Sequence, residues 1–182
     1  DHHCVNFVER CVEQFDIPGS AVGSVMTQAS VHNRVTGVVS RLSISDFPRC
    51  NNLFGNLCHH LQSPVPTLIY GLHRRDAIRW FEEAAIYDWF DCFFSTKILL
   101  SGYDIRVIPD YMGYTAGIDS EVYLPKPVNA RCHALFEYLP YARATLREIA
   151  RSKDLKAREK IVLSSIVAEF TTRNFSYWER QK

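Results

Sequence analysis

Residues 87–110 read "YDWFDCFFSTKILLSGYDIRVIPD", and the order of elements in them sets the fold class. Residues 87–102 are expected to form a helix that Gly102 closes, since glycine takes the left-handed conformation at which helices stop. Residues 103–110 alternate in character and are expected to form a strand that ends at Pro109. Helix followed by strand, with short connections, is the grammar of an α/β domain.

Upstream, "PTLIYGLHRR" at 66–75 reads as a buried strand running into a helix start, "DAIRWF". Residues 41–66 hold Pro48, Pro64, Pro66 and Gly55 and read as a loop with a short helical stretch in "NLFGNLCHHL". "AVGSVMTQ" and "VTGVVS" are short β-branched runs around the polar turn "ASVHNR", a strand followed by an edge strand or hairpin. Val5, Phe7, Val8, Cys11, Val12 and Phe15 fall near helical spacing, and Pro18 and Gly19 stop that helix. Downstream of "LPKPVN" two amphipathic helices are expected, near 130–150 and 155–170. The second carries Leu155, Val162, Leu163, Ile166, Val167 and Phe170 on one stripe.

Composition fits one globular domain with a real core: 182 residues, 47% hydrophobic, 13% aromatic and 23% charged. Disorder is therefore not expected, and no apolar run approaches the ~20 residues that span a bilayer. Six cysteines, at 4, 11, 50, 58, 92 and 132, lack any CxxC pairing and sit among apolar neighbours, which favours reduced thiols in a cytoplasmic protein. Net charge is +1, yet residues 141–182 carry ten Lys/Arg against five Asp/Glu, leaving eleven against fifteen elsewhere. A basic helical end suits either a solvated face or an anionic membrane surface. No base-reading motif accompanies it, so nucleic acid is not an expected partner.

This order of elements resembles family-2 glycosyltransferases. "RRDAIRWF…YDWFDCFFSTKILLSGYDIRVIPDYMGYTAG" is similar to their second half, with a strand ending in G-x-x-R, an acidic helix start, a helix closing in G-Y and a strand closing in proline. The opening "DHHCVNFVERC" then resembles their D-x-D or D-x-H motif followed by a helix, and "NRVTGVV" their polar hairpin. The resemblance covers roughly residues 1–120. It implies a partial GT-A sheet flanked by helices over 1–125, the C-terminal part of a catalytic domain, with 126–182 a basic helical extension packed on it. It also implies that further residues precede Asp1, including the nucleotide-base pocket.

What the resemblance implies chemically is metal-dependent, inverting transfer of a sugar from a nucleotide-sugar donor to a hydroxyl of a saccharide or lipid-linked acceptor, as in polysaccharide biosynthesis. Asp1 and His3 match the metal-binding D-x-H, and a carboxylate with an imidazole suits Mn²⁺ somewhat better than Mg²⁺. Their alternative role is to cap the helix that follows. Inverting transfer needs a carboxylate to take the acceptor proton. Asp88 fits the local motif, and Asp91, eleven residues before Gly102, fits the helix length better; Asp88 is preferred here because a helix tolerates an extra turn. Arg74 and Arg75, past a Gly71 that permits close approach, are candidates for phosphate or acceptor binding, Trp89 for stacking on a sugar ring, and His59 for the loop over the acceptor. The expected location is the cytoplasm, with peripheral attachment to the inner face of the membrane through the basic tail.

Three other readings compete. Cys4 at a helix start resembles the nucleophile of circularly permuted papain-like hydrolases, although only His2 and His3 precede it. "HHC" at 2–4 with "CHH" at 58–60 could form a zinc site, without the usual paired spacing. The chain could also be a non-catalytic helical interaction protein that uses its basic tail.

Overall fold

The protein is described by a computed structural model in residues 2–16, 21–42, 50–64, 66–83, 89–118 and 130–180. It is α/β. The strands are β1 (His2–His3), β2 (Val22–Asn33), β3 (Val39–Leu42), β4 (Leu72–His73) and β5 (Asp104–Ile118), and they form one mixed sheet in the order β1-β5-β2-β3, with β4 also paired to β2. The helices are α1 (Phe7–Phe15), α2 (Leu53–Gln62), α3 (Arg75–Ile78), α4 (Phe90–Leu100), α5 (Ala130–Arg151) and α6 (Ala157–Arg180). β2 and β5 run parallel and carry most of the pairing; β1, β3 and β4 are antiparallel to their neighbours.

Both central strands are bilaterally buried. Val25 and Met26, adjacent on β2, belong to different buried clusters, as do Val107 and Ile108 on β5. Successive strand residues point to opposite faces, so each face has its own core. One is small: Phe7 and Cys11 of α1 close over Val22, Val25 and Ile108. The other is large and aromatic, and it joins α2, α4, α5 and α6 to the sheet through Leu57, Leu61, Phe93, Phe94, Tyr141, Leu163 and Val167. Trp80, partly buried, packs against it, with ring centroids 5.6 Å from Phe94 and 5.9 Å from Phe93.

Several local expectations are displaced. β2 runs straight through "ASVHN"; the turn falls at 34–38, where the Asn33 side chain accepts the Val35 and Thr36 N–H groups. β5 does not end at Pro109. Ile108 faces Thr27 and Met112 faces Gln28, so Pro109 lies in a bulge that absorbs its missing donor while the strand continues to Ile118. Residues 66–75 hold no long strand: a 3₁₀ turn, Pro66–Tyr70, leads to the two residues of β4 and then the short α3. The helix closed by Gly102 is present, with Gly102 at φ +81°, Tyr103 N–H reaching the Ile98 carbonyl and Gly102 N–H that of Leu99.

The C-terminal helices share the large core. Trp89 stacks on Tyr138 at 4.6 Å, Tyr141 meets Phe170 edge-on, Lys97 of α4 pairs with Glu148 of α5, and Arg173 donates to the Gln62 carbonyl. Of the expected α6 stripe, Leu155, Leu163, Val167 and Phe170 are buried, whereas Val162 is exposed.

Candidate functional site

Three elements meet around the turn at residues 69–73: the sheet edge at His3, the start of β2 and the first half of α4. His3 lies in β1 opposite Tyr114, and its Nε2–H donates to the Tyr70 carbonyl at 2.9 Å. A carbonyl can only accept, so Nε2 carries the hydrogen and the backbone orients the ring. The capping role does not apply to His3, because α1 begins at Phe7 with Asn6 in the cap position. Asp1 lies outside the described residues.

Three residues beyond Tyr70, His73 repeats the device. Its Nε2–H donates to the Ile69 carbonyl at 3.0 Å, so Nδ1 accepts the hydroxyl proton of Ser24 at 2.9 Å, directly across the β2–β4 pair. The ring stands edge-on to Phe94 at 4.8 Å, and burial pulls its pKa below the ordinary histidine value. Ser24 is fully buried. This serine and histidine therefore rivet β4 to β2.

Gly71 is small for a local reason: a Cβ there would lie 2.4 Å from the Val25 carbonyl oxygen. Its close approach is to β2. Arg74 is likewise engaged within the fold, donating to the carbonyls of Val22 at 2.9 Å and Phe15 at 2.8 Å, with its guanidinium over the Phe15 ring. Arg75 is exposed at the start of α3, and His59 is exposed on α2.

α4 begins at Phe90, which puts Asp91 in its first turn; Asp88 lies outside the described residues. Asp91 is half-buried, and its Oδ1 accepts the Cys92 N–H at 2.8 Å. Burial raises its pKa above the usual carboxylate range, and hydrogen bonds from Cys92 oppose the rise. A carboxylate so placed is a stronger proton acceptor than a solvated one. Trp89, just before it, takes φ +65°, a costly conformation for a bulky residue, and the stack on Tyr138 with the edge of Phe170 holds it there. Its ring is thus occupied by the C-terminal helices.

Cys4 is exposed ahead of α1, with the neighbouring His3 ring turned to Tyr70. Of the "CHH" run, His60 is fully buried and donates from Nε2 to Thr96 Oγ1 at 3.1 Å and to the Cys92 carbonyl at 3.3 Å. Burial drives its pKa down to about 4. Among the described residues no group of three His, Cys, Asp or Glu side chains is arranged to hold a metal ion, which leaves the zinc alternative without a constellation there. Also among the described residues, no helix is long and apolar enough to cross a membrane.

The Tyr70 carbonyl, the Ser24–His73 pair and the buried role of His60 carry no local signal in the sequence. Each depends on contacts between elements distant in the chain. No protein-family model, curated protein or solved structure matches the chain.

Proposed function

We propose that this chain is part of a GT-A type glycosyltransferase that moves a sugar from a nucleotide-sugar donor to an acceptor hydroxyl, with inversion. The observation that carries the reading is the 69–73 turn. Its Tyr70 carbonyl orients His3, and its Ile69 carbonyl orients His73 against Phe94, one helical turn beyond Asp91. His3 contacts this segment directly, and α4, which carries the candidate base Asp91, packs on it through Phe94.

Asp1 and His3 are the residues that would hold the metal; Mn²⁺ or Mg²⁺ would neutralise charge on the departing nucleoside diphosphate. His3 suits that task because its Nε2–H is already spent on a carbonyl. Asp91 takes the acceptor proton as the new glycosidic bond forms, and its burial favours that uptake. Asp88 remains the alternative base. Arg75 and His59, both exposed, are available to a donor phosphate or an acceptor. The exposed cations of α5 and of the turn into α6, Arg143, Arg147, Arg151, Lys153, Lys156 and Arg158, suit an anionic membrane surface where a lipid-linked acceptor would reside.

The test is sugar transfer from labelled UDP-, GDP- and dTDP-sugars to saccharide and lipid-linked acceptors, with Mn²⁺ and with EDTA. Transfer from one donor class that disappears in EDTA supports the proposal. Absence of transfer and of donor hydrolysis across the panel removes it.

A further inference from the structure

Away from the 69–73 turn, two cysteines converge on the first turns of α2. Cys50 stands just ahead of the helix, and its N–H donates to Asn56 Oδ1 at 2.8 Å. Asn52 caps the helix by accepting the Gly55 N–H at 2.7 Å. These two asparagines fold residues 50–52 back over the helix. A Cβ placed on Gly55 would lie 2.7 Å from Cys50 Cβ and 2.8 Å from its Sγ, so the thiol occupies the space that a side chain at 55 would fill.

Cys58 follows Gly55 by three residues, and Cβ positions at that spacing lie about 5–6 Å apart on one helix face. Cys50 therefore packs over the face of α2 that carries Cys58. Burial raises the Cys58 thiol, and the neighbouring Cys50 charge raises it further, an effect that acts only between nearby groups. A disulfide needs Cβ atoms about 4 Å apart, a short slide for Cys50 along a glycine that presents no side chain to block it. Both thiols are half-buried, within reach of a small oxidant, whereas Cys11 and Cys92 are fully buried. Burial pushes Cys11 up to about 11 and Cys92 higher still, which makes both poor thiolates.

We propose that Cys50 and Cys58 form a redox-active thiol pair that a hydroperoxide converts to an intramolecular disulfide. The peroxide oxidises the Cys50 thiolate to a sulfenic acid, its O–O bond breaking with loss of water or an alcohol. The second thiol then attacks the sulfenic sulfur, forming the S–S bond and releasing water. Two electrons and two thiol protons leave the protein, and a dithiol reductant restores them. This site is independent of the sugar-transfer reading.

Arg49 and Arg74 bound one tryptic peptide, 50–74, that contains both cysteines and no other. The full chain is pulsed with hydrogen peroxide, alkylated with iodoacetamide in denaturant and digested without reductant. The expected result is a peptide lighter by two hydrogens that takes no alkyl group, regains two after dithiothreitol, and forms at least tenfold faster than Cys11 or Cys92 is lost. In Cys58→Ser no bridged peptide should form, and dimedone should trap Cys50. Gly55→Val, with folding checked by circular dichroism, fills the space of the Cys50 thiol and should slow bridging at least tenfold. Two alkylated cysteines after the pulse, bridges to other cysteines instead, or bridging at an unchanged rate in Gly55→Val would overturn the proposal.

Discussion

His60 is neutral in the fold, and acid should expose that dependence. Its ring is fully buried between α2 and α4, with Nε2–H on Thr96 Oγ1 and the Cys92 carbonyl, and its pKa lies at about 4 against an ordinary 6.5. Because the folded value is depressed, the unfolded chain takes up a proton first as pH falls, so this contribution is intact at pH 7 and drains away below about 6.5. Linkage over that gap amounts to about 2 kcal/mol lost by pH 5 and about 3 kcal/mol by pH 4, as orders of magnitude. His73, also depressed by burial, acts in the same direction. The two are separated by His60→Gln, which keeps an N–H donor for Thr96 and does not titrate. Urea unfolding at pH 7, 6 and 5 should show the wild type losing about 2 kcal/mol more than the variant between pH 7 and 5. Parallel losses in both proteins would show that His60 is charged or hydrated in the fold.

Asp91→Asn preserves shape and removes basicity, so transfer should fall roughly 10²–10⁴-fold with donor affinity little changed, while Asp88→Asn should be milder; full activity in both rejects an inverting mechanism. Gly102→Ala forces a Cβ into a φ of +81° and should cost about 1–2 kcal/mol in urea unfolding without altering the helical circular dichroism. Vesicles with anionic lipid should sediment the protein at low salt and release it at high salt, since each basic residue near such a surface contributes about 1 kcal/mol. Reversing Arg143, Arg147 and Arg151, one exposed row of α5, should abolish sedimentation; binding indifferent to lipid charge and salt would remove the membrane role.

Features written in local sequence were legible. Helical spacing from Phe7 to Phe15, the glycine stop at 102, the β-branched run at 22–28 and the paired C-terminal helices are all present. What could not be read is where tertiary contacts overrule local pattern. Apolar "PTLIY" looks like a strand, yet Pro66 begins a 3₁₀ turn and Gly71 must press against β2. Pro109 looks like a terminator, yet a bulge carries β5 past it because β2 continues alongside. The same limit governs the site. Arg74 and Trp89 have the chemistry of ligand contacts in sequence, but carbonyls of Val22 and Phe15 and the ring of Tyr138 engage them within the fold. Asp91 lies in the first turn of α4, which starts at Phe90, whereas Asp88 lies outside the described residues.

The most direct measurement is calorimetric binding of UDP, GDP and dTDP to the protein, with Mn²⁺ and with chelator, in wild type, Asp1→Ala and His3→Ala. One nucleotide should bind at least tenfold tighter with Mn²⁺, Asp1→Ala should abolish the difference and His3→Ala should reduce it. Equal affinity with metal and with chelator in the wild type would remove the metal-linked donor site and with it the sugar-transfer proposal.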